Sequence, residues 1–190
     1  MTDEDIALAK HYYKEACVQY DMKLGEVFSF LKRKGLLENT VVFLLTDHGE
    51  ELWSHGFGSH AFSLYEDVIH IPLAMYHPDI KAGVCTDIVS IVDIAPTILS
   101  EDFWNDGISL LSGRRSRAFA EISMKFRDPN KSETPMAKQL TWLRKEAYIE
   151  GSMKTIVTTL NSGVVVYEKY DLLSDPEERY NLGVETLHSS

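Results

Sequence analysis

Val41-Val42-Phe43-Leu44-Leu45-Thr46-Asp47-His48-Gly49-Glu50 is the stretch on which the reading of this chain turns. Five apolar residues in a row, bracketed by the turn-prone Asn39-Thr40 and by Gly49, predict a strand buried on both faces, as in a parallel sheet. The apolar run then breaks off: an acid, an imidazole, a glycine and the acids Glu50 and Glu51 stand at its carboxyl end. In open α/β sheets ligands bind outside the carboxyl ends of the strands, so Asp47 and His48 stand where chemistry is normally done.

Upstream, Ile6, Ala9, Tyr13, Ala16, Tyr20, Leu24, Val27 and Leu31 recur at gaps of three and four and predict one helix over residues 3–34. Thr2 and Asp5 form a weak capping box, and Lys32-Arg33-Lys34 before Gly35 is a stop signal. The helix is expected to cover the sheet, with Tyr12, Tyr13 and Tyr20 as packing residues. Downstream, the Gly- and aromatic-containing loop from His48 to Ala61 is expected to be packed, and Ser63–His70 to form a short helix. Ile71–Tyr76 reads as a second buried strand that tolerates Pro72 near its start. A brief strand is expected at Thr86–Val89 and a short helix at Ser90–Ser100, with Pro96 in its first turns. Residues 101–116 are loop-like, Arg117–Ser123 reads as a strand, and the polar segment from Lys125 to Lys138 as an exposed excursion. Thr141–Ile149, Lys154–Leu160 and Gly163–Tyr170 predict an antiparallel meander, turning at Gly151-Ser152 and Asn161-Ser162-Gly163. Two buried parallel strands plus a meander make an incomplete sheet, because a strand as apolar as 41–45 needs neighbours on both sides.

The 190 residues suffice for a domain with a real core, and 44% hydrophobic with 25% charged residues is ordinary for a soluble globular protein. A net charge of -10 argues against non-specific nucleic-acid binding, which needs clustered cations. Cys17 and Cys85 lack metal-ligand spacing and read as buried apolar fillers. The start Met1-Thr2-Asp3-Glu4-Asp5 has no leader pattern, which leaves a leader to any upstream region, and no run approaches a membrane span.

Asp47 and His48 supply one oxygen and one nitrogen ligand, half a coordination shell for a divalent ion. Spacing alone leaves Asp47 equally open to capping the following turn. Four of the seven histidines, His48, His55, His60 and His70, fall within residues 48–70. A positioned imidazole can hold an anionic oxygen or protonate a leaving group, as cleavage of a sulfate or phosphate ester requires. His70 reads as a satisfied, partly buried residue and His77, beside Pro78, as an exposed turn residue. His11 and His188 have no context.

Asp47-His48-Gly49 followed by His55-Gly56 and His60 resembles the sulfatase pattern of Asp-His/Asn-Gly, His-Gly and a basic residue. Leu64-Tyr65-Glu66, Ile71-Pro72-Leu73, Asp93-Ile94-Ala95-Pro96-Thr97 and Gly107-Ile108-Ser109-Leu110 extend the resemblance. Tyr170-Asp171-Leu172, Asp175-Pro176-Glu177 and Asn181-Leu182 carry it nearly to the end. It implies part of an α/β alkaline-phosphatase-like sandwich with a mostly parallel central sheet, followed by a small antiparallel C-terminal sheet. Residues 1–123 would be the C-terminal half of the core and 124–190 the antiparallel subdomain packed on it.

The resemblance further implies hydrolysis of sulfate esters, in a small molecule or glycan, at a divalent metal. Calcium comes first, with manganese or zinc as the alternatives favoured by histidine at 48. Asp47 and His48 would be metal ligands. His60, thirteen residues beyond Asp47 where the family commonly has a sulfate-contacting lysine, would bind substrate and, with His55, serve the leaving group. Histidine at 60 leaves room for phosphodiester, phosphonate or phosphoryl-transfer chemistry. The family's nucleophile motif, Cys/Ser-x-Pro/Ala-x-Arg, does not occur here. The expectation is therefore a C-terminal part of such an enzyme, inactive alone, completed by an N-terminal half or a homo-oligomer partner. The alternative of another class is a non-catalytic partner or dimerisation module.

Overall fold

The computed structural model of the chain describes residues 1–99, 106–127, 140–183 and 185–188. They group into two compact units, one of Met1–Phe62 with Asp67–Gly83, the other of Ser63–Glu66 with Val84–Ser190.

The first unit begins with α1 (Asp3–Arg33), as the periodicity predicts. Its capping box is fully formed: Asp5 N donates to Thr2 Oγ1 at 3.2 Å and Thr2 N to Asp5 Oδ2 at 2.7 Å. Acids in the first turn and bases in the last complement the helix dipole. Gly35, at φ 66°, turns the chain out of the helix in the left-handed region that a Cβ disfavours. A 3-10 turn, Leu36–Asn39, then leads into β1 (Val42–Leu45). The expectation that α1 packs through its tyrosines is corrected: no residue of α1 is buried, and Tyr20 is 73% exposed. Cys17 and Cys85 are likewise exposed, not buried fillers.

β1 pairs antiparallel with β2 (Leu73–Tyr76), Val42 opposite Tyr76 and Leu45 opposite Leu73. The two strands were expected to be parallel and fully buried, and neither holds within the described residues. A parallel pair needs a crossover back along the sheet, whereas the connection contains a single helical turn, α2 (Glu66–Ile69), about 6 Å long. The loop turns back instead at the end where β1 finishes, and β2 runs the opposite way. Among the described residues β1 has β2 as its one neighbour, so its side chains are half-buried or exposed.

In the second unit a 3-10 turn (Ile91–Asp93) runs into α3 (Ile94–Leu99). Buried Asp93 accepts from Ser90 N and Ile108 N, each at 2.8 Å, and from both Nε and Nη2 of Arg115. Burial raises its carboxyl, but the Arg115 bonds and the two amides outweigh that and hold it below the usual carboxylate range. Thr97 Oγ1 accepts from Leu110 N at 2.8 Å, so the Gly107–Leu110 turn is held to α3 by side chains. Thr86–Val89 forms no strand, a further correction: two polar residues followed by two apolar ones offer no alternating face to bury.

The remainder is a five-stranded antiparallel sheet in sequence order: β3 (Arg117–Arg127), β4 (Leu140–Glu150), β5 (Met153–Leu160), β6 (Val164–Asp171) and β7 (Glu185–His188). Both predicted turns are present, while β7 has no counterpart in the sequence reading. Of the expected excursion, residues 125–127 continue β3 and 128–138 lie outside the described residues. Ala147, Ile156 and Tyr170 form the buried core of the sheet, with Leu64 from the Ser63–Glu66 segment in the same unit.

That segment is tied down by charge. Lys154, 0% exposed, donates to Glu66 Oε1 at 2.9 Å and pairs with Glu178 Oε1 at 2.8 Å. Glu66 N donates to Glu178 Oε2 at 2.6 Å. Tyr65 and Tyr170 hydroxyls both donate to Glu168 Oε2, at 2.7 and 2.8 Å. Burial pushes the Glu178 carboxyl up against the downward pull of Lys154, and burial with the Glu168 charge pushes both phenols up. Among the described residues no helix is long and apolar enough to cross a membrane.

Candidate functional site

The loop that leaves β1 is built by its backbone. Gly49 N donates to Val68 O at 2.8 Å, and a Cβ at Gly49 would overlap the Asp67 carbonyl oxygen, so only glycine permits this approach. Glu51, buried, accepts from His55 N at 3.1 Å and Phe57 N at 2.8 Å through one carboxyl oxygen. Its own carbonyl accepts from Ser54 Oγ at 2.7 Å. These bonds hold Leu52 (φ 47°) and Trp53 (φ 64°) in the left-handed region, at a cost of about 1 kcal/mol or more each. The Trp53 ring lies over Gly58. The loop is thus packed, as expected from its aromatics.

The hairpin brings His48, Glu50 and His60 together: each offers a ligand atom, and these lie within 4.8 Å of one another. The two imidazoles stack, centroids 3.7 Å apart at 25° between planes. His60 Nδ1 contacts Glu50 Oε1 directly and lies 3.4 Å from Ser59 Oγ. His48 Nδ1 is 3.0 Å from Gly49 O, and a carbonyl only accepts, so Nδ1 is the donor in that contact and Nε2 is left for other partners. Asp47 Oδ1 stands 3.8 Å from that Nε2, but its side chain is 90% exposed and accepts from His48 N at 3.1 Å. It therefore bonds only the adjacent amide, which caps no turn, and borders the cluster. Two imidazole nitrogens, a carboxylate and a second carboxylate nearby form a donor set suited to a divalent ion. On α1, burial and then the charges of Cys17 and Glu50 push the Tyr13 phenol up.

His55 is placed elsewhere. Its Nδ1 is 3.3 Å from Ser54 Oγ and 3.8 Å from Asp67 Oδ2, and Ser54 Oγ lies in direct contact with Asp67 Oδ2, which competes with the Glu51 carbonyl for its one proton. Of the four sequence-predicted residues, the structure unites His48 with His60, sets Asp47 at their margin and leaves His55 in a separate polar cluster. His70 is exposed rather than partly buried. His77 is half-exposed and accepts from Asp79 N at 3.1 Å within its turn. Glu50 received no role from sequence. The available signal was its position two residues beyond His48, because alternate residues of an extended chain face one side.

A sulfatase family model matches residues 7–101 of the chain, the span that holds α1, the hairpin and the histidine cluster. Arylsulfatase K of Canis lupus familiaris is 30% identical over 203 residues, which cover 95% of this chain and 35% of the relative. Arylsulfatase K of Homo sapiens is 30% identical over 197 residues, covering 96% and 35%. The chain thus spans about a third of the length of the curated relatives it matches over most of its own residues. A Bacteroides thetaiotaomicron structure, from work on metabolism of multiple glycosaminoglycans, superposes with TM-score 0.66 at 21% identity, covering 86% of this chain and 37% of that one.

Proposed function

The chain belongs to the sulfatase family, and from that premise we propose that it supplies the metal-binding edge of an active site that hydrolyses sulfate esters. The observation that supports this best is the meeting of His48 and His60, at the carboxyl end of β1, with carboxylates beside them. The resemblance gives Asp47 and His48 as ligands of the ion, calcium in first place. A divalent ion, when bound, supplies Lewis-acid polarisation of a sulfuryl oxygen. Hydrolysis breaks an S–O bond, and the departing alkoxide takes up a proton. His60, anchored at Nδ1 by Glu50, presents Nε2 as donor to a sulfuryl oxygen; His55, oriented by Asp67 and Ser54, serves the leaving oxygen.

The nucleophile belongs to an N-terminal half that this chain does not supply, and turnover is expected only when both are present, in one chain or as partners. The complete fold of this proposal has a mostly parallel central sheet, with residues 1–123 in the core and 124–190 as the antiparallel subdomain. Sulfated glycans or small molecules are the proposed substrates.

The test is turnover of 4-nitrophenyl sulfate by a protein that joins this chain to an upstream half bearing the nucleophile motif. Asp47→Ala and His48→Ala should each lower kcat/KM at least a hundredfold. Undiminished turnover in both variants would sink the assignment, and faster cleavage of bis(4-nitrophenyl) phosphate than of the sulfate would move it to phosphodiester chemistry.

A further inference from the structure

We propose that β3 is a self-association edge: two copies of the chain join through Arg117–Ser123, antiparallel about a two-fold axis at Phe119, into one continuous sheet. No residue of the proposed active site takes part, so failure of either reading leaves the other intact.

Among the described residues β3 ends the sheet, with β4 on one side only. An edge strand presents a row of backbone N–H and C=O groups to another chain, and folded proteins normally blunt it with proline, lysine or a bulge. Arg117–Ser123 has none of these. It contains no proline or lysine, and its residues pair one for one with β4, from Arg117 opposite Glu150 to Ser123 opposite Arg144. Its start is held in place, Arg117 O accepting from Arg115 Nη1 at 3.4 Å while Arg115 is bonded to Asp93.

The side chains specify a second copy as the occupant. Arg117, Phe119, Glu121 and Ser123 stand on the exposed face, and the alternate residues Ala118, Ala120 and Ile122 are half-buried. Arg117-Ala118-Phe119-Ala120-Glu121 is complementary to its own reverse. About Phe119, Arg117 of each copy faces Glu121 of the other, Ala118 faces Ala120, and the two Phe119 rings meet on the axis. Glu121 gives Oε2 to Arg144 of its own chain at 2.9 Å and has Oε1 for the second copy. Each Phe119 already packs on Tyr148 of β4, centroids 5.2 Å apart, although Phe119 is 48% and Tyr148 45% exposed. Pairing extends that couple into a row of four aromatics across the axis. Charge also fixes the register: a slip of two residues breaks both Arg117–Glu121 pairs, and a slip of four sets Arg117 on Arg117 or Glu121 on Glu121. The contact is isologous and closes at two copies, and its small size makes it reversible.

The test is sedimentation equilibrium of the 190-residue chain over a concentration series. The mean mass should climb from 21.6 kDa toward twice that value. Arg117→Glu sets acids against acids and Glu121→Arg bases against bases, so each variant alone, checked for unchanged circular dichroism and thermal melting, should associate at least tenfold more weakly. An equimolar mixture of the two should recover parental association, because each chain then faces its opposite; so should the Arg117→Glu/Glu121→Arg double variant. A structural role within one chain cannot produce recovery on mixing. A parent still at 21.6 kDa at about 1 mM, or a mixture that associates no more tightly than either variant, would overturn the proposal. So would a monomeric protein, joined to its upstream half, in which the amides of residues 118–122 are already protected from hydrogen exchange, since that half would then cover the edge.

Discussion

Lys154→Met removes a cation on which two carboxylates depend. Lys154 Nζ lies 2.9 Å from Glu66 Oε1 and 2.8 Å from Glu178 Oε1, with the Lys154 and Glu178 side chains 0% and 1% exposed. Methionine fills much of the same volume, so the cost is electrostatic. It leaves Glu178 buried beside Glu66 without a counter-charge, and breaking such a pair from one side costs about 3–5 kcal/mol. The variant has one escape, which is to protonate Glu178. In the parent, burial already pushes that carboxyl above its free value of 4.5 while Lys154 pulls it back; without Lys154 it rises further. A carboxyl raised in the folded state holds more protons folded than unfolded, so stability falls as pH climbs from the free value toward the folded one. Urea melts of the full chain at pH 7 and pH 5 should therefore show a loss of about 3–5 kcal/mol at pH 7 and a smaller loss at pH 5. Lys154→Met/Glu178→Gln should regain most of the pH 7 loss and flatten the slope. A loss under about 1 kcal/mol at pH 7, or one equal at both pH values, would refute the reasoning.

Other perturbations bear on other parts of the structure. Asp93→Asn strands the Arg115 guanidinium and should cost about 3–5 kcal/mol at pH 7 by denaturant melting. Because the parent Asp93 is held below its usual 3.8, the stability it contributes is present above that pH and lost as pH falls through the lower folded value; the asparagine variant should lack this acid-side loss. Glu51→Ala frees the His55 and Phe57 amides and should cost about 2–3 kcal/mol, with limited proteolysis now cutting between residues 52 and 58. Gly49→Ala should cost about 1–3 kcal/mol, because its methyl meets the Asp67 carbonyl. Gly25→Ala, in the middle of α1 with open space around it, should instead stabilise the chain by about 0.5–1 kcal/mol; both are read from thermal melts.

What could be read from sequence was whatever is settled locally. The span of α1, its Thr2–Asp5 cap and its Gly35 stop depend on residues within a turn or two, and all were legible. So were the turns of the meander, which Gly151-Ser152 and Asn161-Ser162-Gly163 dictate by themselves. Direction and burial are not local. The apolar run at 41–45 carries a demand for neighbours without stating which neighbours or in which sense they run, and the pairing of Val42 with Tyr76 is decided by how the loop returns. The same limit applied to the site. Asp47, His48, His55 and His60 were found by residue type and spacing, but that His60 would stack on His48 and rest on Glu50, while His55 went to Asp67, depends on left-handed turns at Leu52 and Trp53. Lys154 and Glu178 gave no signal at all, since a buried cation is recognised by partners far along the chain.

That distance sets an order of events on the ribosome. Glu66 is synthesised 112 residues before the Glu178 carboxylate to which its amide donates, and 88 residues before Lys154. At about 5–20 residues per second, the partners of Glu66 are completed roughly 5–20 s after it, apart from the further delay of the exit tunnel. Throughout that interval Ser63–Glu66, just downstream of His60, lacks the Lys154 and Glu178 bonds it makes in the finished chain. Rare codons or pauses between residues 66 and 178 would lengthen that interval, and a chaperone that shields the nascent loop would have its window there.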